Sequence, residues 1–203
     1  MKHFGEIAFT AQVKAEQSAR GSREMYEAML ARPAPAGFGE REMAFISMRD
    51  SFYMATVTDQ GWPYIQHRGG PRGFLKILSD SQIAFADYRG NRQYVSTGNL
   101  KTNTRVSLFL MDYPNKARLK LLGRARVEDA ASDPGLARAL STGGQGAVER
   151  LFIIDIEAFD WNCPQFIMPR YTQAELAVSL SPMVDELQTL RQENAFLKQE
   201  LGR

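Results

Sequence analysis

Residues 52–68 read FYMATVTDQGWPYIQHR, and this stretch decides the fold. Phe52 to Thr58 is β-branched and aromatic, Asp59-Gln60-Gly61 is a turn signal, and Trp62 to Arg68 returns as the partner strand. Working outward, the same texture recurs at Phe74 to Leu78, Gln82 to Tyr88, Arg105 to Met111, Arg118 to Glu128 and Leu151 to Glu157. Seven short strands with tight connections specify an antiparallel barrel or sandwich rather than a doubly wound sheet. The expected fold class is mostly β with flanking helices.

The helices sit around this core. Thr10 is placed to cap Ala11 to Arg20, Ser22 to cap a segment through Ala31, and Glu40 to Arg49 forms another after the helix-breaking RPAPAGFG. Two more are expected inside the β region, at Arg92 to Thr97 and at Asp133 to Ser141. The chain thus divides into an N-terminal helical extension (1–40), a β domain (41–172) and a C-terminal helix (173–203). In that last segment Ser181-Pro182 reads as a helix start. Met183, Leu187, Leu190, Asn194, Leu197 and Leu201 then follow at heptad spacing, with Glu186 and Glu193 at g and Arg191 and Lys198 at e. Two readings stand: a short parallel coiled coil with a second copy, or an amphipathic helix lying on its own barrel.

Composition removes several function classes. The 203 residues carry 25 basic and 23 acidic side chains, so net charge gives no footprint for nucleic acid or a membrane surface. One cysteine, Cys163, forbids an intrachain disulfide, and two histidines, His3 and His67, are too few for most Cys/His metal cages. No apolar run approaches the ~18 residues of a membrane span, and the first residues lack a signal-peptide pattern, so a cytoplasmic protein is expected. There is no G-x-S-x-G elbow, P-loop, H-E-x-x-H or Gly-rich dinucleotide turn. Cys163, beside Pro164 and without a cue for a lowered pKa, reads as a structural thiol.

What remains offers three cationic segments, each readable as ordinary surface or as part of an anion site. In PYIQHRGGPRGFLK (63–76), period-2 alternation puts Gln66 and Arg68 on one face and His67 on the other, before glycines break the strand and Phe74-Leu75-Lys76 resumes it. In FADYRGNRQY (85–94), Asn91 is placed to cap a helix whose first turn carries Arg92 and Gln93, with Arg89 nearby, which reads either as an ordinary capped helix or as a phosphate site in outline. In KARLKLLGRARV (116–127), Arg118, Lys120, Arg124 and Arg126 share one face, which reads either as solvent surface or as one wall of an anion pocket. Trp161, with Arg170 downstream, reads either as core or as a platform for a planar ring.

The ordered runs QHRGGPRGFLK, FADYRGNRQY, NTRVSLFLMDY and RLKLLGRARV resemble the pyridoxamine 5′-phosphate oxidase-like family of FMN-binding split barrels, and most closely a bacterial subgroup marked by QHRGGP, GNRQY, TGNL and WNCPQ. The resemblance covers about Phe45 to Arg170 and implies a split β-barrel and a homodimer with FMN at its interface. The family's R-x-x-x-L-K strand is matched by Leu75 and Lys76, with Pro71 in the place of its arginine and Arg68 or Arg72 standing in. Its S-R-K phosphate triplet reads Asn91-Arg92-Gln93. Ala86 and Asp87 correspond to the residues whose backbone flanks the flavin, and Trp161 to a tryptophan given by the other subunit. The resemblance therefore implies Arg68 and Arg92 near the phosphate, and Gln66 and Lys76 toward the ribityl chain or ring.

The substrate grip of the true oxidases is missing. Their Tyr-x-x-x-Arg-x-x-x-Ser helix is replaced by GLARALSTGGQG (135–146), and NCPQFIMPRY (162–171) holds no Arg-x-His. The function expected is an FMN-dependent oxidoreductase of unassigned substrate that passes a hydride through flavin N5, with NAD(P)H or another small redox molecule as partner. The competing expectation is a non-catalytic flavin or haem carrier, in which His67 would be the axial ligand.

Overall fold

The computed structural model describes residues 1–143, 146–161 and 164–202. Asn162 and Cys163, and with them the structural-thiol reading, lie outside the described residues. The chain separates into two units, one formed by Met1–Asp112 with Ala117–Pro164, the other by Tyr113–Lys116 with Gln165–Arg203.

The first unit is built on β1 (Ser51–Val57), β2 (Pro63–Gly69), β3 (Lys76–Ser79), β4 (Gln82–Tyr88), β5 (Arg105–Asp112), β6 (Ala117–Asp129) and β7 (Val148–Trp161). They form one sheet in the order β2-β1-β5-β6-β7-β4-β3, with every pairing antiparallel. The helices are α1 (Phe4–Ala8), α2 (Ala11–Ala19), α3 (Arg23–Leu30), α4 (Glu40–Ser47), α5 (Val95–Asn99) and α6 (Pro134–Leu140); α7 (Gln173–Glu200) belongs to the second unit. This is the split-barrel architecture that the family resemblance implied, with the all-antiparallel pairing that the strand series pointed to. No helix among the described residues is long and apolar enough to cross a membrane.

Alternation fills the barrel. Phe52 and Met54 of β1, Leu108 and Leu110 of β5, Leu119 and Leu121 of β6, and Phe152 and Ile154 of β7 are buried in one cluster. β4 and β7 are buried on both faces. Phe85 and Phe152 stack at 4.9 Å inside, while Ala84, Ala86, Leu151 and Ile153 pack outward with Leu140 of α6. That second cover explains the unbroken apolar run Leu151 to Ile154.

Two helix starts differ from the sequence reading. The helix expected from Arg92 begins at Val95, because Asn91 Oδ1 accepts from the Gln93 amide and Arg92 and Tyr94 adopt left-handed φ of 63° and 55°. The C-terminal helix begins at Gln173 rather than at Pro182. Thr172 and Glu175 form a reciprocal capping box, and Pro182 is carried inside a helix of 28 residues.

Gly123 marks a close approach. The β6–β7 register shifts between Leu122 and Gly123, and a Cβ there would collide with the Asp155 carbonyl. We expect Gly123→Ala to cost about 1–3 kcal/mol in urea unfolding. Gly98→Ala, which meets nothing within 4 Å on α5, should be neutral or stabilising.

Candidate functional site

The edge strand β2 is not hydrogen-bonded to β4, yet side chains join the two. On β2 the alternation places Gln66 and Arg68 inward and His67 outward. Arg68 Nη1 donates to Asp87 Oδ1 at 2.6 Å, and its guanidinium lies 4.9 Å from the Phe152 ring centroid and 5.5 Å from that of Phe85. From β7, directly across the ladder from Asp87, Arg150 donates to Asp87 Oδ2 through Nη2 at 2.7 Å and through Nε at 2.8 Å. One buried carboxylate is thus held between two guanidiniums that are less than a fifth exposed.

Arg68 is not fully satisfied by this arrangement. Its Nε is buried and has no hydrogen-bond partner. An unpaired buried donor costs about 1–3 kcal/mol, so the fork is held in place at a cost in stability.

The cleft in front of this triad has a volume of about 260 Å³. Its other wall is the 90–97 segment. Arg92 Nε donates to the Tyr94 hydroxyl at 3.4 Å, and the Arg150 guanidinium lies 4.6 Å from the Tyr94 ring. Two non-glycine residues at positive φ within three positions are sterically unfavourable, and the ring contact with Arg150 helps hold them. Ser96 donates to Gln66 Oε1 at 2.9 Å, tying α5 to β2. Three guanidiniums, those of Arg68, Arg92 and Arg150, face one carboxylate in the lining, so the cleft favours an anion.

Electrostatics follow this geometry. Hydrogen bonds from Arg92 and then Arg150 hold the Tyr94 hydroxyl below its ordinary value of 10.0. For Arg150, burial acts to lower the pKa, but the hydrogen bond and charge of Asp87 outweigh it and leave the group above its usual value.

Of the residues singled out in the sequence, Gln66, Arg68, Asp87, Asn91, Arg92 and Gln93 line this cleft. The others lie elsewhere. His67 is on the outer face of β2, edge-on to Tyr53 at 5.6 Å. Phe74 and Leu75 are buried in the barrel core, where Phe74 stacks on Phe52, and Lys76 opens β3 opposite Ala84. Ala86 packs in the cluster that includes Leu140 of α6. Lys120 pairs with Asp160 at 2.7 Å, and Arg118 lies over Phe109. Trp161 donates to Glu42 at 2.6 Å, with Phe45 edge-on and Arg41 4.0 Å from its ring. Arg170, in the second unit, lies 4.9 Å from the Tyr113 ring.

The even-numbered face of β6 is largely neutralised from β7. Arg124 pairs with Glu157 at 2.6 Å, and Arg126 with Asp155 at 3.2 Å. Arg150, Tyr94 and Ser96 are among the cleft residues that sequence reasoning missed.

A family model for pyridoxamine 5′-phosphate oxidase matches residues 38–154, more than half of the chain. The chain belongs to the pyridoxamine 5′-phosphate oxidase family. Among solved structures it is similar to HupZ of Group A Streptococcus at 15% identity, over 66% of this chain and all of that one, with a TM-score of 0.50, a likeness of fold. It is also similar to an FMN-binding protein of Syntrophomonas wolfei at 14% identity, 73% and 97% coverage and a TM-score of 0.42. The General Stress Protein 26 of Bacillus anthracis matches at 14% identity, 58% and 88% coverage and 0.45. A search of curated proteins gave no match.

The lowered Tyr94 pKa carries a pH prediction. Above that value, and still below 10, the tyrosinate adds negative charge to the cleft, so affinity for inorganic phosphate should fall as pH rises through it. Calorimetric titration across alkaline pH checks this, and Tyr94→Phe should remove that component of the fall.

Proposed function

We propose that the cleft binds the phosphate end of FMN and that the protein is an FMN-dependent oxidoreductase, with the flavin at the interface of a homodimer. The observation that carries this reading is Arg68: a guanidinium clamped by Asp87, lying beside two aromatic rings and incompletely hydrogen-bonded, at the base of a cleft with excess positive charge. The donor set suits a phosphate monoester, which needs several N–H donors and a compensating charge. The family supports flavin as the remainder of that molecule.

Bound FMN would supply two-electron hydride chemistry through its N5. The chain's own residues have separate tasks. Asp87 holds Arg68 and Arg150 in place, so the forks meet an anion without reorganising. Arg92 adds a donor from the rim, and the Ser96 bond to Gln66 fixes the wall between rim and base.

A second copy is part of the proposal because a flat ring needs a further wall. Trp62 and Ile65 stand 72% and 67% exposed at and on the edge strand β2, an apolar surface suited to burial. Among the described residues no cluster of metal ligands is present. The missing phosphate-gripping helix and Arg-x-His motif argue for a substrate other than pyridoxamine phosphate. Reduced nicotinamide is the electron donor to try first.

Purified protein should be yellow, release FMN by mass and bleach with NAD(P)H. Arg68→Gln should weaken FMN binding by about 1.5–3 kcal/mol, roughly ten- to a hundredfold in Kd, and leave riboflavin, which lacks the phosphate, much less affected. Fluorescence titration of both ligands on a variant with native circular dichroism decides it; equal losses would contradict the assignment.

A further inference from the structure

The capping box at Thr172 lengthens the C-terminal helix by nine residues beyond its apparent start at Pro182, and this extends its seam. Continuing the heptad upstream adds Leu176 at d and Leu180 at a to Met183, Leu187, Leu190, Asn194, Leu197 and Leu201. The spacings run 4, 3, 4, 3, 4, 3 and 4 without a break. Pro182 falls at c, away from the seam, and the intrahelical bond it removes is the one to the carbonyl of Val178, at f on the outer face. Each apolar member of this stripe is between 44% and 73% exposed, and α7 has no buried residue along its length of about 42 Å.

We infer that α7 is a parallel, in-register coiled coil with the same helix of a second copy. The charges select both partner and direction. In a parallel pair each g residue meets the e′ residue of the next heptad, so Glu186 meets Arg191 of the partner subunit and Glu193 meets Lys198 of the partner subunit, with the reciprocal pairs formed by symmetry. An antiparallel pair would set g against g′ and e against e′, opposing glutamate to glutamate and cation to cation.

Asn194 points the same way. In parallel it faces its own copy across the a layer, where two amides hydrogen-bond each other. In antiparallel packing it would face an apolar d residue and be buried unpaired. The polar a position thus sets register, at a cost in stability borne by the leucines and Met183 of the remaining layers.

This inference is independent of flavin binding, so its test is chosen to read the helix alone. In the full chain carrying Cys163→Ser, a single cysteine is introduced at Leu197→Cys on the seam or at Gln192→Cys on the outer f position. Each protein is then equilibrated in a glutathione redox buffer and run on a non-reducing gel.

We expect an interchain disulfide from Leu197→Cys and none from Gln192→Cys. An antiparallel pair would set the two introduced thiols at opposite ends of the seam. Adding Glu186→Lys and Glu193→Lys to the Leu197→Cys protein should abolish most of that disulfide. Adding Arg191→Glu and Lys198→Glu to a second Leu197→Cys chain and mixing the two should restore it between unlike chains. No linkage at Leu197→Cys, equal linkage at both positions, or indifference to the charge swaps would overturn the inference.

Discussion

The Asp87 carboxylate, shared between Arg68 and Arg150, is the interaction on which the rest of this site depends. The sheet does not close between β2 and β4 through backbone hydrogen bonds, and across that gap the 2.6 Å contact from Arg68 to Asp87 provides a direct ionic tie. Losing one member of such a buried group typically costs about 3–5 kcal/mol, because the surviving charge is stranded. Removing Asp87 would take the ionic partner from Arg68 and leave Arg150 with Glu149 at 3.3 Å. The stacked Phe85 and Phe152 rings lie 5.5 and 4.9 Å from the Arg68 guanidinium and add cation–π contacts to the clamp.

From that clamp the cleft follows. Asp87 and Arg150 are cross-strand neighbours in the β4–β7 ladder, so the barrel register itself delivers the second guanidinium. Arg150 then extends beneath the Tyr94 ring, and Tyr94 in turn accepts from Arg92. Two left-handed residues are held where the anion would enter, by contacts that trace back to the same carboxylate. Core packing, strand register and a strained rim thus converge on one excess of positive charge.

Much of this was legible in the sequence, and the remainder fails for identifiable reasons. Period-2 alternation placed Gln66 and Arg68 on one face because one side of β2 is half-buried and the other is in water. Arg150 could not be found the same way, since its partner lies 63 residues earlier and only the long-range register of β4 against β7 joins them. The cationic stripe on β6 was visible, but the acids that neutralise it sit on β7, where Asp155, Glu157 and Asp160 are separated by a register shift. The Asn91 cap misled because the amide it accepts from, that of Gln93, belongs to a local turn, and no propensity rule anticipates positive φ at an arginine and a tyrosine. At the C-terminus the Thr172-x-x-Glu175 signal was present, and Ser181-Pro182 masked it by offering a second plausible start.

The central claim is that the Arg68 fork, held by Asp87, is the anion-binding base of the cleft. A crystal structure of the protein grown with FMN tests it most directly. The account predicts phosphate oxygens within hydrogen-bond distance of the Arg68 guanidinium while the contact from Arg68 to Asp87 persists. Phosphate bound elsewhere, with Arg68 making no contact to the ligand, would contradict it.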